Sequence, residues 1–168
     1  QDGELCFTGV SLMVGYYDKP DATNDIIKVH ADGQRWLHTG DLGYMTEDGI
    51  IYVSGRIKRI IMTKGTEGVV TKMFPDRIEK VILQHPAVAA CCVIGVPDAN
   101  RIHYPKAYVV LQDTHSESSH LKTEIQSICN NLLPDYMQPE SIEFCIDFPR
   151  TDRGKVDYRT LEKEAEKQ

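Results

Sequence analysis

Three charged side chains stand where they could bind a nucleotide or stabilise developing negative charge. Asp41 has two acceptor oxygens and no donor when ionised, so its carboxylate could accept both hydroxyls of a ribose. Arg56 follows Gly55 at a predicted strand end, where a planar guanidinium could bind ribose or phosphate oxygens at two points. Lys155 follows Gly154 among turn-forming residues, so an exposed, flexible loop could carry its compact cation to a phosphate and a carboxylate.

Each of these residues also has a purely structural interpretation. Asp41 could be a turn carboxylate that accepts a hydrogen bond from the amide of Gly43. Arg56 could form a surface ion pair, and Lys155 could be an ordinary solvated loop lysine. The residues alone leave both interpretations open.

Short alternating apolar runs broken by glycine fill the first third of the chain, at 4–7, 35–37 and 49–53. This pattern predicts strands joined by tight turns. Gly49 can take positive φ in the turn at 47–49, which predicts a hairpin, and the glycines of 64–68 predict a second one.

The pattern becomes mixed in the later two thirds. Ile78, Val81 and Ile82 share one helical face behind Pro75, which predicts a helix of about ten residues. A buried strand at 88–96 ends at Pro97-Asp98. A second strand is predicted at 106–111, the longest amphipathic helix at 121–132, a strand at 141–146, and a short terminal helix capped by Asp157.

Together these elements predict an α+β fold with two parts. Residues 58–168 should form a small domain in which helices flank a β-sheet, and residues 1–57 should be a β-rich segment of a larger domain. The boundary is expected near Gly55 to Arg59, where the pattern changes.

Composition excludes several classes of partner. The chain has 168 residues and a formal net charge of −6, which argues against a nucleic-acid surface, since neutralising phosphates requires clustered cations. No apolar run approaches the roughly 20 residues of a membrane span, and residues 1–3 do not resemble a signal peptide. We expect a cytoplasmic protein.

Cysteine and histidine give no sign of disulfides or metal. The five cysteines contain no CxxC pair and lie within apolar patterns, so we expect reduced thiols. The six histidines lack metal-ligand spacing, and we predict no metal site.

Several motifs occur in an order that resembles the adenylate-forming superfamily of acyl-CoA synthetases, luciferases and peptide-synthetase adenylation domains. The resemblance spans nearly the whole chain and matches the superfamily's C-terminal portion. Its motifs are Gly3-Glu4-Leu5, Gly15-Tyr16-Tyr17, Trp36-Leu37-His38-Thr39-Gly40-Asp41, Gly55-Arg56-Ile57-Lys58, His85-Pro86-Ala87-Val88, Gly95-Val96-Pro97-Asp98 and the segment from Pro149 to Asp157.

The resemblance assigns a role to each candidate. It implies that Asp41 and Arg56 bind the nucleotide, and that Lys155 is the catalytic lysine of a lid domain. By its charge, Lys155 would orient the substrate carboxylate and stabilise the α-phosphate during attack. Lys58 would be the hinge between the large domain and the lid. Gly65 would line the passage for the pantetheine of CoA.

The sequence departs from the family pattern at two places. The stretch from Thr66 to Phe74 is several residues longer than is usual, and Asn100 to Pro105 replaces a Gly-Glu or Gly-Gln pair that relatives often have. We interpret the second departure as loop variation.

The implied function is that of an ATP-dependent acyl-CoA synthetase, an AMP-forming ligase of fatty acid metabolism. It would use a carboxylic acid, ATP with magnesium, and CoA. Lys58 favours this reading, because many peptide-synthetase relatives have Asp there. The alternatives are the tail of an adenylation domain that loads a carrier protein, and a non-catalytic interaction module.

Two essentials of such an enzyme lie outside this sequence. Neither a Ser/Thr/Gly-rich phosphate loop nor an acyl-binding segment is present, and Gln1 begins abruptly before a strand. We therefore expect a piece of a longer protein whose N-terminal domain is its partner, and we expect the isolated chain to be inactive.

Overall fold

The glycine-broken apolar runs of the first third pair as an antiparallel sheet. Its strands are β1 (Gly3–Phe7), β2 (Ile27–Val29), β3 (Arg35–Met45) and β4 (Ile51–Arg56). The central strand β3 pairs with each of the other three. Gly49 takes a φ of 84° in the β3–β4 turn, so the predicted hairpin and its positive-φ glycine are both confirmed.

The structure, a computed structural model, describes residues 3–65 and 68–167. The chain divides between Lys58 and Arg59 into two compact units, which we call the first and second unit. The first unit also contains helix α1 (Pro20–Ile26), which the sequence analysis missed. Pro20 in its first turn, with Asp21 beside it, was the signal that could have revealed this helix.

The described part of the second unit contains three α-helices, and all were expected. They are α2 (Pro75–Ile82), α3 (Ser119–Leu132) and α4 (Tyr158–Ala165). Ser118 caps α3 by accepting the amide of Leu121, and Asp157 caps α4, as predicted, by accepting the amide of Thr160. None of the helices in the described part of the chain has the length and apolar character that crossing a membrane requires.

The strands described for the second unit form two sheets. The hairpin predicted around Gly65 joins β5 (Ile61–Lys64) to β6 (Val70–Met73). In the larger sheet, β7 (Val88–Asp98) pairs antiparallel with β8 (Ile102–Leu111), and β8 pairs parallel with β9 (Ser141–Phe144). This mixture of sheet and helices confirms the α+β class.

The turn between β7 and β8 corrects one prediction. Strand β8 begins at Ile102 rather than at Lys106, so the segment from Asn100 to Pro105 is mostly strand and not loop. Asp98 Oδ1 accepts the amides of Asn100 and Arg101 at 2.9 and 2.7 Å, which closes a short turn. Ile102 takes a φ of 70°, the left-handed conformation that a glycine adopts more easily.

The segment from Thr66 to Phe74 was singled out for its length. Thr66 and Glu67 lie outside the described residues, and Val70–Met73 is strand β6. Phe74 is the N-cap residue of α2, so strand β6 and this cap account for most of the segment that the structure describes.

The larger sheet is buried on both faces. Side chains alternate between the two faces along each strand, and each face packs against helices. Val93, Ala107 and Val109 pack in one core with residues of α2 and α3. Cys92, Ile94 and Tyr108 pack in the other with residues of α4. The helical contributions are Ile78, Ile82, Leu121, Ile125 and Cys129 to the first core, and Leu161 and Ala165 to the second.

All five cysteines are free, as expected. Cys92 and Cys129 are buried, and burial raises the pKa of Cys92 to about 12 and that of Cys129 to about 11. Both thiols therefore stay protonated at neutral pH and act as small apolar side chains.

Candidate functional site

Asp41 and Arg56 lie opposite each other on neighbouring strands. They are register partners in the β3–β4 pair, and Arg56 Nε lies 2.8 Å from Asp41 Oδ1. The Arg56 side chain is 57% exposed and that of Asp41 is 27% exposed, so both groups reach solvent. The surface ion pair that we considered as a structural interpretation of Arg56 is therefore present. Its partner is Asp41, so the pair joins the two residues predicted to bind the nucleotide.

Thr39 and Glu4 support the backbone that carries Asp41. The Thr39 hydroxyl donates to the carbonyl of Leu5 at 2.8 Å and accepts the amide of Asp41 at 3.0 Å. Gly40 takes a φ of 71°, and its amide donates to Glu4 Oε1 at 3.0 Å. Asp41 thus lies within strand β3. The alternative interpretation, in which Asp41 is a turn carboxylate, required a turn at this position.

Glu4, Cys6 and His38 form a group of possible metal ligands beside this backbone. One donor atom of each lies within 4.8 Å of the others. His38 Nδ1 lies 2.7 Å from Glu4 Oε2, and this hydrogen bond lowers the pKa of Glu4. We predicted no metal site from the sequence, and this group leaves no local pattern there, because the pairing of β1 with β3 brings distant residues together.

Lys58 is exposed and is the last residue of the first unit. It lies in a single 3₁₀ turn, Ile57–Arg59, which follows β4 directly. The next residue differs sharply, because the Arg59 side chain is only 13% exposed and binds Asp76 and Glu79, each at 2.6 Å. Burial alone would lower the pKa of Arg59, but the hydrogen bond and charge of Glu79 outweigh burial and raise it. No motif or spacing in the sequence singled out Arg59.

Lys155 is exposed on a loop that backbone hydrogen bonds close. Gly154 takes a φ of 75°, and its amide donates to the carbonyl of Thr151 at 2.8 Å. The amide of Thr151 in turn donates to the carbonyl of Lys155 at 2.8 Å, and Arg150 and Val156 form an isolated β-bridge. The loop is exposed, as expected, but hydrogen bonds fix its base, so the freedom of Lys155 lies mainly in its side chain.

Gly65 begins the turn of the β5–β6 hairpin. Its amide donates to the carbonyl of Val69 at 3.1 Å, and its carbonyl accepts the amide of Gly68 at 2.9 Å. Gly65 lines a cleft of about 130 Å³, together with Arg101, Tyr104 and Tyr136. A backbone hydrogen bond of 2.8 Å from Lys64 to Arg101 ties this hairpin to the β7–β8 turn.

The structure thus brings two of the five predicted site residues into contact. Asp41 and Arg56 form a pair in the first unit. In the second unit, Gly65 and Lys155 belong to separate turns, the first between β5 and β6 and the second between β9 and α4.

Comparison with known proteins identifies related domains. Residues 77–155 match the family of AMP-binding enzyme C-terminal domains, and Lys155 is the last matched residue. The chain is 36% identical over 165 residues to a long-chain-fatty-acid–CoA ligase of Escherichia coli O6:H1, and 38% identical over 156 residues to a sulfoacetate–CoA ligase of Cupriavidus necator. These alignments cover 98% and 93% of the chain, but only 27% and 28% of those relatives.

A solved structure shares the fold over nearly the same range. The o-succinylbenzoate CoA synthetase of Bacillus subtilis, solved with its acyl-adenylate intermediate, superposes with a TM-score of 0.79 at 30% identity. The match covers 96% of this chain and 30% of that one. The chain therefore spans less than a third of the length of these relatives.

Proposed function

Because the chain belongs to the adenylate-forming superfamily and corresponds to its C-terminal portion, we propose that it serves in an ATP-dependent acyl-CoA synthetase. In the first half-reaction, a carboxylate oxygen attacks the α-phosphate of ATP, and pyrophosphate leaves with the electron pair of the broken P–O bond. In the second, the CoA thiol attacks the acyl carbon, loses its proton and displaces AMP.

The Asp41–Arg56 pair is the observation that carries this proposal. Arg56 pairs with Oδ1 of Asp41, and the carboxylate, which is 27% exposed, has a second acceptor oxygen, Oδ2. That second oxygen can accept a ribose hydroxyl, while the exposed guanidinium can donate to ribose or phosphate oxygens. One point on the sheet therefore offers both an acceptor and donors to the nucleotide.

Lys155 supplies the charge for the first half-reaction. Its ammonium extends from a closed turn and can bridge the substrate carboxylate and the α-phosphate. Such a cation holds two anions together and stabilises the charge that develops during attack. Magnesium enters as the complex with ATP, and we assign no described residue as its ligand.

Lys58 and Gly65 serve the change between half-reactions. Lys58 is exposed and stands where the chain divides into two units, so its φ and ψ can absorb a rotation. Gly65 leaves room for the pantetheine arm beside the backbone of the β5–β6 turn.

The relatives support CoA as the acceptor, since the ones described above are named as CoA ligases or a CoA synthetase. Their named acids differ widely, from long-chain fatty acids to sulfoacetate and o-succinylbenzoate. We therefore propose that the acid specificity is set outside the segment that they share with this chain. For the same reason we propose that the 168-residue chain alone is inactive.

Product analysis tests the proposed function. The whole protein containing this chain is incubated with magnesium, ATP, CoA and a panel of carboxylic acids that includes long-chain fatty acids. We expect one acid class to yield an acyl-CoA, with AMP and pyrophosphate formed in equal amounts, as detected by mass spectrometry. Acid-dependent formation of ADP and phosphate would contradict the proposal. Acyl-adenylate that reacts with a carrier protein but not with CoA would favour the carrier-loading alternative.

A further inference from the structure

Arg59 joins three elements of the second unit through one side chain. Its Nη1 lies 2.6 Å from Asp76 Oδ1, and its Nη2 lies 2.6 Å from Glu79 Oε1, both on α2. Nη2 also donates to the carbonyl of Val93 on β7 at 3.2 Å. The guanidinium carbon lies 4.1 Å from the centre of the Tyr158 ring, which begins α4.

Glu79 makes this attachment rigid. Its Oε1 accepts the amide of Val93 at 2.7 Å as well as Arg59 Nη2, so one carboxylate binds β7 and the guanidinium together. Removing either partner would leave a charge in a largely buried site, which is strongly unfavourable. Arg59 therefore moves as part of the second unit.

Arg59 and Tyr158, the two ends of this set of contacts, lie close in the chain to Lys58, the proposed hinge, and Lys155, the proposed catalytic lysine. Arg59 directly follows Lys58. Tyr158 follows the Lys155 turn by three residues, and the intervening Asp157 both caps α4 and donates its amide to the carbonyl of Pro149 at 2.7 Å.

We propose that Arg59 is a positioning residue that connects the hinge to the catalytic lysine. This inference rests on the proposed function. The guanidinium fixes the backbone immediately after Lys58, so that rotation between the half-reactions is confined to Lys58 and the residues before it. Through the ring of Tyr158, the same guanidinium holds the base of the Lys155 turn at a fixed distance from the hinge.

This arrangement predicts which half-reaction depends on the contact. Lys155 acts in adenylation, where a displacement of about 1 Å at a reacting group can lower the rate substantially. Thioester formation does not use Lys155, so it should tolerate a small shift of the turn.

Substitutions of Tyr158 in the whole protein separate positioning from general stability. Tyr158→Leu removes the aromatic face and keeps an apolar side chain, whereas Tyr158→Phe keeps the face and serves as the matched control. Acyl-adenylate formation and thioester formation from preformed acyl-adenylate are each measured in single turnovers. We expect Tyr158→Leu to slow adenylation about ten-fold and to change the thioester step less than about two-fold. Tyr158→Phe should match the wild type in both steps.

Arg59→Lys gives a second test that does not alter α4. Lysine keeps the charge but cannot bind both carboxylates and stack on the ring at once. We expect the same selective loss of adenylation. Equal losses in both steps, no loss in either, or a Tyr158→Phe defect as large as that of Tyr158→Leu would overturn the inference. A wild-type protein without either half-reaction would instead refute the proposed function on which the inference rests.

Discussion

At the scale of single residues, the Asp41–Arg56 pair contributes little to stability, and its proposed value lies in nucleotide recognition. Ion pairs between exposed groups contribute at most about 1 kcal/mol to folding, and Arg56 is more than half exposed. The pair instead holds a carboxylate and a guanidinium in a fixed mutual geometry. Under the proposed function, such preorganisation would reduce the entropy lost when a nucleotide binds.

Asp41→Asn should therefore weaken nucleotide binding without unfolding the protein. The substitution keeps the size of the side chain but replaces one acceptor oxygen with a donor and removes the charge. We expect the KM for ATP of the whole protein to rise about ten-fold, the scale of a hydrogen bond to a charged group. Steady-state kinetics at saturating acid measure this change.

Asp48→Asn is the matched control, because Asp48 is an exposed aspartate in the turn that follows β3. It should leave the KM for ATP unchanged. An unchanged KM in Asp41→Asn would mean that the carboxylate serves only its ion pair.

At the scale of elements, close packing of β5 on β7 shapes the second unit. Gly95 lies on β7, and a Cβ atom there would lie 2.6 Å from Ile61 Cγ2 on β5. Ile61 is buried and belongs to the core shared with α2 and α3. The glycine is therefore required by a neighbouring side chain and not by its own backbone conformation.

Gly95→Ala should destabilise the protein by about 1–3 kcal/mol, the usual range for an overpacked core. Urea unfolding followed by circular dichroism measures the free energy of unfolding. Gly3→Ala on β1 is the control, since no heavy atom lies within 4 Å of its added Cβ. If Gly95→Ala were as stable as the control, Ile61 would have to move aside freely, contrary to the packing described here.

Helix starts and turns could be predicted from the sequence where a single residue of suitable type marks them. Proline at the first turn predicted α2, Asp157 predicted the start of α4, and Gly49 predicted the β3–β4 turn. The start of β8 was missed because His103, Tyr104 and Pro105 do not form an apolar run, and pairing with β7 makes them strand.

The site was predictable only where a family motif marked it. The sequence singled out Asp41 and Arg56 but not their contact, because their register depends on an irregularity after Leu42 in the β3–β4 pair. Arg59 was missed because its partners come from α2, β7 and α4, far apart in the chain. Contacts of this kind depend on tertiary packing and leave no local pattern.

At the scale of the whole molecule, the two units differ in how well they are buried. Among the described residues before Arg59, only Ile27 has a buried apolar side chain, whereas the second unit contains two apolar cores. Tyr44 and Tyr52 stack on each other in the first unit, with ring centres 5.2 Å apart, yet both are exposed. This contrast fits the proposal that the first unit belongs to a larger domain.

The central claim is that this chain supplies the charge that drives carboxylate adenylation. Acid-dependent exchange of labelled pyrophosphate into ATP, measured without CoA on the whole protein, tests it most directly because it isolates the first half-reaction. We predict exchange in the wild type and in Lys163→Ala, an exposed lysine on α4. Lys155→Ala should be slower by about 100-fold or more, the scale of losing a well-placed charge-stabilising donor. Exchange that is equally fast in Lys155→Ala would contradict the account.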